Sequence, residues 1–120
     1  MKIAIPTNGE KINDQINKSF GRAKNFIIVD ADTLGFDIVE NIQNMESAQG
    51  AGIQSAQLIV KSGADILITI NCGPKAYKVL STAGVAVYSG IDGSIRENVT
   101  EYKSGNLSSL NSANVEGHWT

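Results

Sequence analysis

The sequence predicts an α/β domain built on a mixed five-stranded sheet in the order 3-2-1-4-5, with strand 2 antiparallel and helices on both faces. Three observations lead there. Apolar runs at residues 26–30 and 36–42 are joined by the short, turn-rich stretch Ala31-Asp32-Thr33-Leu34-Gly35, so they should pair as an antiparallel hairpin. Beyond residue 50 the apolar spacing becomes helical, and helical stretches alternate with apolar runs at 65–70 and 85–88. That alternation marks strand–helix–strand units with parallel neighbours.

Taken in order, Lys2-Ile3-Ala4-Ile5-Pro6 is a short strand stopped by proline, and Thr7-Asn8-Gly9-Glu10 is turn chemistry. Residues 10–24 are polar and irregular. Phe26-Ile27-Ile28-Val29 reads as a strand buried on both faces, whereas 36–42 alternates like a strand with one wetter face. Ile53, Ala56, Ile59 and Val60 recur at helical spacing, and Gly63 lies where a helix should end. After the strand at 65–70, Pro74 sits at a first-turn position, Ala76, Val79, Leu80 and Ala83 form the apolar face, and Gly84 closes the helix. Val85 to Tyr88 is the fifth strand. Ser94 with Glu97 three residues on reads as a capping box, and Ile95, Val99 and Tyr102 line a last short helix ending near Gly105. Residues 1–104 therefore form one domain, followed by a loosely ordered polar tail, 105–120.

Strands joined across a helix should be parallel neighbours with right-handed crossovers, which places the meander on the other side of strand 1. The result is the ribonuclease H-like arrangement. Composition limits the partners of such a domain. With 120 residues, 42% of them hydrophobic, the chain suits a single core. Its net charge of −2, from 10 basic and 12 acidic residues, leaves no basic stripe for nucleic acid. No segment approaches the roughly 20 apolar residues that span a bilayer, and the N-terminus lacks a signal peptide's apolar core. One cysteine forms no internal disulfide, so a cytoplasmic location is expected.

Ligands of open α/β sheets lie beyond the carboxyl ends of the strands, where the strand order reverses. Strand 1 ends at Thr7-Asn8-Gly9 and strand 4 at Asn71-Cys72-Gly73; strand 3 feeds the turn with Gly50 and Gly52. The loop from Thr7 to Asn25, with Lys18, Arg22 and Lys24, leaves from the same edge. Helices that start on glycine present uncovered N–H groups and the positive end of a dipole. An anion-binding rim is expected there, made of Thr7, Asn8, Gly9, Arg22, Gly50, Gly52, Asn71 and Gly73, with few carboxylates between. Cys72, just before a helix start, is the candidate metal ligand, since the dipole favours a thiolate there. A small residue packed at a strand end accounts for it equally well. Gly50 and Gly52 could equally serve close helix packing, Arg22 could brace its loop, and His118 stands alone in the tail beside Trp119. Asp65 stands at the start of strand 4 and strand 1 has no acidic residue, so the carboxylate cluster of a two-metal nuclease is missing.

Lys2-Ile3-Ala4-Ile5-Pro6, Ser19-Phe20-Gly21-Arg22-Ala23, Gly50-Ala51-Gly52 and Gly73-Pro74-Lys75-Ala76 with Leu80 and Ala83-Gly84-Val85 resemble the dinitrogenase iron-molybdenum cofactor biosynthesis family over residues 1 to about 105. The resemblance implies a ribonuclease H-like fold and a non-catalytic role in binding or carrying an anionic metal-sulfur cluster, an iron-molybdenum cluster or another, together with a cofactor-biosynthesis partner protein. Members often carry histidine directly before Phe-Gly-Arg, where this chain has Ser19. Two other readings stay open: a binding module or enzyme for a small anionic metabolite on the same rim, and a protein-interaction module in cofactor delivery.

Overall fold

The computed structural model describes residues 1–45 and 51–114. The elements are β1 (Lys2–Thr7), β2 (Asn25–Asp30), β3 (Phe36–Glu40), α1 (Ile42–Met45), α2 (Ala51–Lys61), β4 (Ile66–Thr69), α3 (Pro74–Thr82), β5 (Ala86–Ser89) and α4 (Ile95–Lys103). The sheet order is β3-β2-β1-β4-β5, as the sequence predicts. β2 is antiparallel to β1 and β3, and β4 is parallel to β1 and β5.

Strand alternation sorts the apolar residues onto two faces. Ala4, Phe26, Ile28 and Leu67 face α2 and α3, where they pack with Ala56, Ile59, Ala76 and Leu80. Ile3, Ile5, Ile27, Val29, Ile66 and Ile68 face α4 and pack with Ile95 and Val99. Phe20 joins the first cluster, with its ring 5.3 Å from that of Phe26, and Ile12 and Ile16 join the second. The irregular loop thus contributes to both cores, which its polar composition conceals.

Gly63 and Gly84 take positive φ, 79° and 82°, just after α2 and α3, the conformation that ends a helix without cost to a Cβ. α4 begins with the expected capping box: the Ser94 hydroxyl accepts the Glu97 N–H, and the Glu97 carboxylate accepts the Ser94 N–H.

Several details differ from expectation: β4 and β5 cover Ile66–Thr69 and Ala86–Ser89 where 65–70 and 85–88 were expected. β1 runs one residue past Pro6, because Thr7 still pairs with Asn25 of β2. β3 stops at Glu40, since the Asn41 amide leaves the strand direction to hold Ala23, and α1 follows where strand was expected. Part of the expected loose tail is laid against the domain: Ser89 donates to Ser108, Leu110 donates to Val87, and the Tyr77 hydroxyl donates to the Leu110 carbonyl. This segment covers the outer edge of β5. The opposite edge strand, β3, leaves Phe36 and Ile38 39% and 40% exposed. Among the described residues, no helix is long and apolar enough to cross a membrane.

Replacing Ser94 with alanine removes one half of the capping box and leaves the packing of α4 untouched. Ser94→Ala should cost about 1 kcal/mol of stability, read as a lower urea midpoint at unchanged slope.

Candidate anion-binding rim

The site follows from a missing hydrogen-bond donor. Alternate residues of β1 direct their backbone groups to β4: the Lys2 carbonyl accepts the Asp65 N–H at 2.9 Å. Pro6 has the same parity and carries no N–H, so it cannot continue a ladder on that side. The β1–β4 register ends at Ala4 with Leu67. Beyond it the loop takes β4's place, Asn17 donating to the Pro6 carbonyl at 2.8 Å. Ile16 then bridges Thr7, and Ser19 bridges Asn71. The loop therefore crosses the carboxyl edge of the sheet between β1 and β4, where the strand order reverses.

Thr7, Asn8 and Gly9 frame this loop. The buried Thr7 hydroxyl donates to the Gln15 carbonyl at 2.7 Å and accepts the Gly9 N–H. Asn8 Oδ1 accepts from both the Asn17 amide and the Lys24 N–H. Gly9 is pressed against Asp14, whose carboxylate would collide with a Cβ there. Arg22 is exposed between buried neighbours Phe20, Gly21 and Ala23, so the loop turns this one side chain outward. The Ser55 hydroxyl of α2 approaches the Gly21 carbonyl at 3.5 Å, and Gly52 is buried one turn earlier. Gly50 lies outside the described residues. The Ser19–Asn71 bridge sets the turn before α3 alongside the same loop. Gly73 is the N-cap of α3 and provides no side-chain cap, with Pro74 at the first turn.

The rim has two unlike halves. Towards α4 it is closed: the Asp14 and Ile12 carbonyls accept the Ile95 and Arg96 N–H groups, and the Asp14 carboxylate accepts those of Glu10 and Lys11. Lys18 pairs with Asp92 at 3.2 Å, and its hydrogen bond, with that of Gln15, holds the Asp92 carboxyl below the ordinary value. Carboxylates therefore do lie among the expected anion-binding groups, on this side. Towards α2 and α3 stand Arg22, which already has an interaction of its own, Lys75, and the start of α3, which no side chain caps.

Cys72 does not fit the role expected of it. Its side chain is fully buried in the α2–α3 core, and its thiol contacts its own neighbour, the Gly73 carbonyl, at 3.7 Å. Burial pushes the thiol up to about 12, outweighing the helix dipole that was expected to lower it. Its N–H is also taken: Asn114 Oδ1 accepts it at 2.7 Å, and the Asn114 amide donates to the Ile70 carbonyl. Among the described residues, no group of three or more His, Cys, Asp or Glu is placed to hold a metal ion.

Sequence reasoning missed Asn114 altogether, because a contact reaching across 42 residues leaves no local pattern. It also missed the buried Asn41, which it placed inside the strand at 36–42, and the buried Ser55, which lies within the helical stretch.

Fold and rim define an α/β protein with a donor-rich carboxyl edge beside a topological switch point. The model for the family described as dinitrogenase iron-molybdenum cofactor matches residues 1–105, and the chain belongs to that family. It is 35% identical over 109 residues to an uncharacterized protein of Methanocaldococcus jannaschii, covering 89% of each chain. Among solved structures it resembles the apo form of the orange protein from Desulfovibrio gigas, with 33% identity, TM-score 0.91, and 95% and 96% of the two chains covered. A NifB-like protein from Thermotoga is also similar, at 33% identity and TM-score 0.82, with 97% of this chain and 98% of that one covered.

The raised Cys72 pKa gives a signed expectation. The thiol stays protonated in the fold while the unfolded chain ionises near 9.0, so its contribution to stability is complete below pH 9 and is lost as pH rises towards about 12. Cys72→Ala should remove that part of the alkaline loss in a denaturation series. In the native protein at pH 8 the thiol should resist alkylation unless denaturant is present; rapid labelling of the folded chain contradicts the burial.

Proposed function

We propose that the protein is a non-catalytic cytoplasmic carrier that holds a preformed anionic metal-sulfur cluster on the α2–α3 half of the rim. The observation that carries this reading is the Ser19–Asn71 bridge, which brings the Arg22 loop beside a helix start that no side chain caps. A guanidinium carried on that loop and backbone N–H groups at that helix start would together suit an anion whose own sulfide or oxo atoms accept hydrogen bonds. The donor set is a poor match for direct ligation, since Cys72 is buried and protonated. The cargo is accordingly written as arriving assembled, bound through its outer atoms and handed to a partner protein. Family membership supports the iron-molybdenum class of cargo.

The test is titration with tetrathiomolybdate under anaerobic conditions, followed by desalting and an absorption spectrum, with inorganic phosphate as a parallel probe. Wild type and Cys72→Ser should retain the visible band equally. Arg22→Ala should weaken retention about tenfold, the loss of one charge-assisted contact. Binding of phosphate without retention of the thiometallate would replace the cluster reading by the small-anion reading on the same rim. Retention that depends on Cys72 and ignores Arg22 would defeat both.

A further inference from the structure

We propose that Asn41, acting with Ser55, is the positioning residue that sets where Arg22 meets the bound anion. This rests on the reading of the rim given above. Asn41 is 1% exposed and stands between β3 and α1, on none of the turns that form the rim itself. Its amide nitrogen donates to the Ala23 carbonyl at 2.8 Å, and its backbone N–H donates to the Lys24 carbonyl at 2.8 Å. Its Oδ1 accepts the Ser55 hydroxyl at 3.1 Å and the Asn44 amide at 2.9 Å. Ser55 in turn reaches the Gly21 carbonyl at 3.5 Å. The carbonyl after Arg22 is therefore tied to the end of β3, while the Gly21 carbonyl before it competes with Asn41 Oδ1, the shorter contact, for the single Ser55 proton. From the far side, the Lys24 N–H is held by Asn8.

Position 41 needs a group that donates to one carbonyl while accepting from a hydroxyl and an amide. Within that space a carboxamide does this; a carboxylate cannot donate and an aliphatic side chain does neither. Every member of the network is satisfied, which lets a buried polar cluster specify one geometry rather than weaken the core. With Phe20 and Ala23 fully buried, the peptide groups at Arg22 have little remaining freedom. Asn41 thus orients the cation without touching the ligand.

The experiment is a double-mutant cycle on tetrathiomolybdate retention in the full chain, with Ser55→Ala and Asn41→Asp each made in wild type and in Arg22→Ala. Asn41→Asp keeps both acceptor contacts, replaces the donor to Ala23 by an oxygen that repels that carbonyl, and adds a buried acid, so Ser55→Ala is the arm that decides the cycle. Each change should weaken binding by about threefold to tenfold in wild type, the range expected for one hydrogen bond, and should add nothing once Arg22 is absent. Equal losses in both backgrounds would mean that the network supports the fold alone, and would overturn the inference. Should Asn41→Asp fail to fold, Ser55→Ala completes the cycle, since it removes one hydroxyl at nearly constant volume. If Arg22→Ala itself leaves retention unchanged, the rim reading fails at its first step and the positioning role falls with it. Normal weakening by Arg22→Ala together with unaltered binding in Ser55→Ala and Asn41→Asp rejects the positioning role alone.

Discussion

A single missing N–H, that of Pro6, governs the working edge of this protein. Were β1 and β4 hydrogen-bonded to their ends, the switch point would be a closed seam and the loop of residues 8–24 would have to run over the outside of the sheet. Instead the pairing stops after Ala4, and the carbonyl that proline still possesses is taken by Asn17. The loop enters the opened seam and spans it, bonded to β1 through Ile16 and to the β4 turn through Ser19. In doing so it passes Ile12 and Ile16 to one core and Phe20 to the other. Burial of side chains this size is worth roughly 1.5–3 kcal/mol each, so the loop is fixed by packing even though its surface is polar.

The same edge shows how differently two helix starts can be completed. α4 receives a capping box and two loop carbonyls, so its N-terminal groups are used internally. α3 begins on glycine and proline and receives no side-chain cap, and the Asn114 carboxamide bonds the Cys72 N–H and the Ile70 carbonyl ahead of it. Asp14 and Asp92 stand on the α4 side, and Glu40 ends β3 opposite Asn25, towards the Arg22 loop. A bound anion would meet repulsion most directly on the α4 half. The buried thiol marks the boundary between chemistry and core. A helix terminus favours a thiolate by about 0.3–2 kcal/mol, whereas full burial shifts a pKa by up to 3–5 units, and here burial prevails.

Strands, helices and topology were legible in the sequence because each rests on a repeating or short-range signal. The continuous apolar run at 26–29, the helical spacing from Ile53 to Val60, the glycines after α2 and α3, and the Ser94–Glu97 pair are all of that kind. The rim as a location was legible too, since strand direction alone puts Thr7, Asn71 and Gly73 on one edge. What stayed hidden depends on single, distant hydrogen bonds. Asn41 ends β3 early by binding Ala23, 18 positions away, and Asn114 reaches back to Cys72. The depth of Cys72 was equally hidden, because a cysteine between a strand and a helix start has the same sequence context whether its thiol points to solvent or into the core. The pairing of residues 108–110 with β5 was masked by a Ser- and Asn-rich composition that usually accompanies loose chain.

Holding a cargo through N–H groups and a positioned guanidinium, rather than through thiolate bonds, has a consequence for transfer. Such contacts are individually modest and weaken with ionic strength, so release needs no ligand exchange at a metal and no change in oxidation state. Selectivity must then come from shape and from where the cation stands, because an exposed arginine on a mobile loop would attract many anions equally well. The buried amide and hydroxyl network beneath Arg22 answers that requirement: it holds the backbone that follows an exposed side chain. Under the proposed reading, the rigid part of the site is the part that solvent never reaches, and the surface keeps only the contacts that a partner would have to compete for.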